Sequence, residues 1–95
     1  MIISYTPEAI DDLQRLRTFI AEKNPVAAQK IAGDLLTGIA MLKELPNLGL
    51  KVTKAPNPEI MRDLSVSLYI VRYLILDDEI HILRIWHKRE NGSST

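Results

Sequence analysis

Between Leu64 and Arg89 the chain reads LSVSLYIVRYLILDDEIHILRIWHKR, and this stretch limits the fold more than any other. Two runs rich in β-branched and aromatic residues, Tyr69 to Leu76 and Ile80 to Trp86, flank the polar break Asp77-Asp78-Glu79. Val, Ile, Tyr and Trp suit a pleated, half-buried surface, and Asp suits a tight turn. The pattern predicts a β-hairpin. The chain before it then has to cover one face, which leaves the other face and the basic end, His87-Lys88-Arg89, for chemistry.

The preceding residues supply that cover. Ile2 to Tyr5 is a short β-prone run, expected at a sheet edge. Thr6-Pro7-Glu8 is a helix start, with a capping Thr, Pro at the first helical position and an acid in the first turn. Ala9, Leu13, Leu16 and Ile20 follow at helical spacing, with Asp11, Asp12, Arg15 and Glu22 read as the solvated side. Asn24-Pro25 repeats the start signal, and a second helix is expected to run to Leu45, where Pro46 stops it. Its stripe is Ala28, Ile31, Leu35, Ile39 and Leu42. Gly33 and Gly38, with nearby alanines, predict close packing of the two helices as an antiparallel hairpin. Pro46 to Glu59 is a Pro- and Gly-punctuated loop holding Lys51 and Lys54, and Met61 to Val66 is a first strand leading into the hairpin. The fold class is α+β: an N-terminal strand and a two-helix hairpin packed on a small, mainly antiparallel sheet. Residues 1–90 make one domain, and 91–95 are a polar tail expected to be disordered.

Composition narrows function by exclusion. The chain has no cysteine, which rules out disulfides, thiol catalysis and zinc–thiolate sites. Nothing in its pattern calls for a metal or a cofactor. No apolar run reaches the roughly 18 residues of a membrane span, and the start lacks the basic residues of a secretory signal, so a cytoplasmic protein is expected. Twelve Lys and Arg balance twelve Asp and Glu. A protein that grips many phosphates usually carries a basic excess, so any such role has to come from a local patch. One exists: the last sixteen residues hold Arg84, Lys88 and Arg89 against a single acid, Glu90.

Strand alternation sorts the hairpin into faces. Tyr69, Val71, Tyr73 and Ile75 share one, and Ile70, Arg72, Leu74 and Leu76 the other. A two-residue turn at Asp77-Asp78 places Arg84 with the tyrosines and Arg72 with His81 and His87, while a loop one residue longer reverses this. The sequence leaves the register open. Arg72 and Arg84 sit inside apolar strands, where an unpaired charge is costly, so they pair with acids, face solvent or line a site. His81, in mid-strand, reads as structural. His87 ends its strand beside Lys88-Arg89, where exposure is expected and an imidazole can serve as an acid or base near neutral pH.

These residues, in this order, resemble the RelE/ParE toxin superfamily. The likeness runs from Ser4-Tyr5-Thr6-Pro7-Glu8-Ala9 and Asp12-Leu13 through Asn24-Pro25, Ala28, Leu45-Pro46 and Gly49. It continues through Arg62-Asp63-Leu64, Tyr69-Ile70-Val71-Arg72-Tyr73 and Asp77-Asp78 to Ile82-Leu83-Arg84-Ile85-Trp86-His87-Lys88-Arg89. The resemblance implies a small cytoplasmic toxin of a bacterial toxin–antitoxin pair, neutralised by a cognate antitoxin. RelE-like members cleave mRNA on the ribosome with cations on the central strands, whereas ParE-like members lack that set and poison DNA gyrase. Where RelE-like proteins carry two lysines and an arginine, this chain has Met61, Asp63 and Ile70. Its His87-Lys88-Arg89 ending is similar to the His-x-Arg ending of ParE-like members. The expectation is therefore a gyrase-binding toxin with Arg84, His87, Lys88 and Arg89 at the contact. The alternative is a ribosome-dependent endoribonuclease using Arg62, Arg72, Arg84 and His87, and a third reading is a scaffold that no longer harms cells.

Overall fold

The computed structural model describes residues 1–89, so the expectation for the tail at 91–95 lies outside the described residues. Seven elements follow one another: β1 (Ile2–Tyr5), α1 (Pro7–Lys23), α2 (Pro25–Met41), β2 (Leu50–Lys51), β3 (Met61–Val66), β4 (Tyr69–Leu76) and β5 (Glu79–His87). The strands form one sheet in the order β1-β5-β4-β3-β2. β1 runs parallel to β5 and every other neighbour is antiparallel. Among the described residues no helix is long and apolar enough to cross a membrane.

The helix signals act as read. The Thr6 hydroxyl accepts the Ala9 N–H at 3.1 Å and donates to the Leu83 carbonyl at 2.9 Å, so the cap of α1 is also stitched to β5. Asn24 serves both helices: its N–H donates to the Ile20 carbonyl at 2.8 Å, and its side chain accepts the Ala27 N–H at 3.1 Å. α2 stops at Met41 rather than Leu45, because the last turn tightens into i→i+3 bonds from Leu42, Lys43 and Glu44. Gly38 packs against β3 and not against α1: a Cβ there would lie 2.8 Å from Val66. Around Gly33 there is open space, so close helix–helix packing does not explain it.

The core lies between the helices and the inner face of the sheet. Leu35 and Ile39 of α2, Leu42 just after its end and Ala9 of α1 meet Val71, Tyr73, Ile80, Ile82 and Ile85. Burial of these side chains is the main favourable term for a domain of this size. Tyr73 extends its reach to the long loop, donating its hydroxyl to the Pro46 carbonyl at 2.7 Å and accepting the Gly49 N–H at 2.9 Å. Only glycine fits at 49, since a Cβ would come within 2.8 Å of the Asp63 carbonyl oxygen. Held there, the loop delivers β2, a two-residue strand not expected from the sequence.

The hairpin resolves the register by using both alternatives. Asp77 takes a left-handed φ of 53°, and a two-residue turn pairs Leu76 with Glu79, Ile75 with Ile80 and Tyr73 with Ile82. An irregularity between Arg72 and Tyr73 then shifts the pairing by one, so that Arg72 faces Arg84, Ile70 faces Trp86 and Tyr69 faces His87. A bulge inserts one extra residue and so reverses the side on which every later side chain falls. Ile82 and Ile85 both reach the core for this reason, with Leu83 as the extra residue.

Candidate functional site

β1 pairs with β5 only as far as Ile82, where the chain turns into α1. Beyond that point a carboxylate takes over the edge of β5. Asp12 is 1% exposed and accepts the Ile85 N–H at 2.9 Å, the Arg84 Nε at 2.8 Å and the Arg84 Nη2 at 3.1 Å. Arg15, one turn later on α1, donates to the same carboxylate. Burial pushes the Asp12 carboxyl up, but the two guanidinium groups and the Ile85 amide outweigh it and hold the group below the usual carboxylate range. Arg84 is raised in turn by its bond to Asp12. Asp12 therefore does not belong to a solvated face; α1 presents it inward because it lies three residues after Ala9 and four before Leu16, on the margin of the apolar stripe. That spacing is the signal by which the sequence could have exposed it.

The outer face of the central strands holds a second arrangement. Arg72 makes a bidentate pair with Asp63 of β3, at 2.8 and 3.0 Å, and its guanidinium lies 5.1 Å from the centre of the Trp86 ring. Trp86 is 6% exposed. Arg62, on the opposite face of β3, donates to the Gly49 carbonyl at 2.8 Å and to that of Asn47 at 3.4 Å. Ser4 and His81 meet at 3.1 Å between β1 and β5, a structural contact in keeping with the sequence reading of His81.

His87 is less free than its position suggested. It is half-buried within β5, stands edge-on to the Tyr69 ring at 5.1 Å between centroids, and accepts the Arg89 N–H on Nδ1 at 3.0 Å. The Lys88 N–H is fixed to the Leu68 carbonyl at 2.8 Å, while the Lys88 and Arg89 side chains are exposed and make no ion pair with any described residue. Tyr69, His87 and Arg89 form one wall of a groove of about 950 Å³ whose other wall is the second half of α1, with Arg15, Leu16, Phe19 and Ile20. Of the residues singled out from sequence, the structure thus brings Arg89 and His87 together on this groove. It holds Arg84 nearby on Asp12, and leaves Arg72 and Arg62 on separate hydrogen-bonded networks.

Residues 3–92 match the family model described as "ParE toxin of type II toxin-antitoxin system, parDE". Toxin RelE2 of Caulobacter vibrioides is 35% identical over 86 residues, spanning 90% of this chain and 92% of the relative. Toxin RelE1 of the same organism is 33% identical over 79 residues, spanning 83% and 84%. In structure the chain resembles one from "Chromosomal ParDE TA system from P. aeruginosa", with a TM-score of 0.77 over 92% of this chain and 95% of that one. At 23% identity that likeness speaks for the fold: an N-terminal strand, two helices and a five-stranded, mostly antiparallel sheet. The order of motifs, the fold they produce and the family match over almost the whole length agree, and the chain belongs to the ParE toxin family of type II toxin–antitoxin systems.

Proposed function

We propose that this toxin inhibits growth by binding DNA gyrase without catalysing a reaction, and that a cognate antitoxin neutralises it. The contact is made by the basic end of β5, with His87, Lys88 and Arg89 beside the groove along α1 and Arg84 held behind them on Asp12. The observation that carries this reading is the state of the arginines an RNA-cleaving site would need. Cleavage requires deprotonating a 2′-hydroxyl and neutralising charge on the phosphate. Met61, Asp63 and Ile70 supply no cation, and Asp63 is an acid facing Arg72. Arg62, Arg72 and Arg84 are each bonded within the chain, to loop carbonyls, Asp63 and Asp12. Lys88 and Arg89 are the cations that remain available to a partner at this end.

A second reading is a ribosome-dependent endoribonuclease, favoured by the RelE names of the two Caulobacter relatives. One pair of assays separates them. Purified protein should inhibit gyrase supercoiling or trap cleaved DNA, and should leave ribosome-bound mRNA intact. Codon-specific cuts in translated mRNA with gyrase unaffected would overturn the proposal in favour of the second reading.

A further inference from the structure

Along a regular strand the backbone groups of alternate residues face the same neighbour. On the β1 side of β5 they follow the even numbers at first: the Asp78 and Ile82 carbonyls accept the Ile2 and Thr6 N–H groups, each at 3.0 Å. Past the bulge they follow the odd numbers. The Leu83 carbonyl, next in sequence to that of Ile82, is turned to the same side and accepts the Thr6 hydroxyl at 2.9 Å. The Ile85 N–H then donates to Asp12 at 2.9 Å. β1 itself pairs no further than Ile82. The change of parity is therefore met by two side chains at the start of α1, its cap Thr6 and Asp12.

What the bulge decides is the face on which the basic end appears. His87 falls opposite Tyr69, on the side of α1, and Arg89 joins it in lining the groove with Phe19. Had the pairing run on unbroken from Tyr73 and Ile82, Trp86 would stand opposite Tyr69 and Arg84 opposite the fully buried Val71. His87 would then turn to the outer face of the sheet. We infer that Asp12 and Thr6 are positioning residues for the toxin's target contact: they hold the bulge of β5 in place and so present His87 and Arg89 on the α1 groove. The core favours the same register, because it excludes Arg84. It cannot satisfy the backbone groups that the bulge turns outward, and a buried amide left without a partner is costly. Without these two side chains, the β5 backbone beyond Ile82 is bonded on the β4 side alone among the described residues. The inference rests on the growth-inhibiting reading above and adds to it two residues that act through β5 rather than by touching the target.

The test uses the full chain and three readouts: the nuclear Overhauser contact between the Tyr69 and His87 rings, the folded protein needed to arrest growth, and gyrase inhibition. Asp12→Ala should lose the ring contact and need roughly tenfold more folded protein for arrest. Asp12→Asn keeps an acceptor for the Ile85 amide and should stay within about threefold of the parent. Leu35→Ala truncates the core on α2 and lowers stability without touching the bulge; at equal folded concentration it should keep both the ring contact and the arrest. If Asp12→Ala does not fold, Thr6→Val carries the same expectation, with Thr6→Ser restoring the parent's behaviour. A folded Asp12→Ala chain that keeps the ring contact or the parent's toxicity overturns the inference. So does an equal loss in Leu35→Ala, which would reduce Asp12 to a stabilising role. Arrest by a parent that leaves gyrase unaffected overturns the proposed target, and the inference is then decided by the ring contact and the arrest. A parent that arrests nothing overturns both.

Discussion

Arg72 and Arg84 face each other in register across β4 and β5, yet acids hold them from different parts of the chain. Arg72 is paired by Asp63, nine residues earlier on the neighbouring strand, and the pair retains some solvent access on both sides. Arg84 is paired by Asp12, 72 residues earlier on a helix, with a carboxylate sealed from water and a guanidinium 47% exposed. The first pair lies within the sheet and decorates it. The second joins helix to sheet at the place where β1 ends. Equal chemistry at equal positions thus has unequal structural weight, and the weight follows the burial of the acid.

The sharpest way to break this contrast is to remove each acid in turn. Asp12→Ala leaves the Ile85 N–H without its acceptor and both Arg84 and Arg15 without their shared partner. Loss of buried, charge-assisted bonds of this kind costs on the order of 3 kcal/mol, or roughly 15 °C in melting temperature for a domain this small. Asp63→Ala removes a partly exposed partner and leaves Arg72 over Trp86, so its cost should be about 1 kcal/mol. Thermal melts of the two variants test the ranking. Equal losses would mean that sequence separation and burial of the acid are irrelevant here.

Much of this was legible in the sequence, and the parts that were not have a common cause. The hairpin, both helix starts and the strand at Met61 to Val66 follow from local signals: alternation, Thr and Asn caps, and Pro at the first helical turn. Pairing with acids is one of the roles the sequence leaves to Arg72 and Arg84, but Asp12 does not stand out as the partner because its neighbours Asp11 and Arg15 look solvated. The register was also undecidable, since the turn favours one pairing and the bulge imposes the other further along. β2 depends on Gly49 being held by the Tyr73 hydroxyl, a contact between residues 24 apart. Each of these involves a contact between residues distant in sequence, although for Asp12 the helical spacing from Ala9 and Leu16 is a local hint. Among the candidate site residues, the basic ending stood out at once; that His87 is half-buried against Tyr69 did not.

Acid should reveal the same asymmetry more gently. The Asp12 carboxyl is held below its ordinary value in the folded chain. A depressed carboxyl contributes stability that is present above the unfolded pKa of about 4 and is lost as pH falls through the lower, folded value. Asp12→Asn keeps an acceptor for the Ile85 amide and cannot titrate. The stability gap between the parent and this variant should therefore be constant from pH 7 down to about 5, and should close as pH drops below about 4. A parent and an Asp12→Asn variant that lose stability in parallel at low pH would remove Asp12 from the acid response.

The smallest structural effect belongs to the cations outside both pairs. Lys88 and Arg89 follow Trp86, which anchors the strand by its burial, and their side chains make no ion pair with any described residue. Lys88→Ala with Arg89→Ala removes charge and little else, and such surface changes usually fall within about 0.5 kcal/mol. Melting should move by no more than about 3 °C, and antitoxin binding should persist. Growth arrest should weaken far more than stability, by tenfold or greater in the expression level required. His87→Ala sits between the extremes, since it also gives up the edge-on contact with Tyr69, worth about 1 kcal/mol. Measuring arrest, melting and antitoxin binding side by side separates the roles. A folded double variant with full toxicity would take this end out of the target contact and return attention to Arg62, Arg72 and the loop lysines, Lys51 and Lys54.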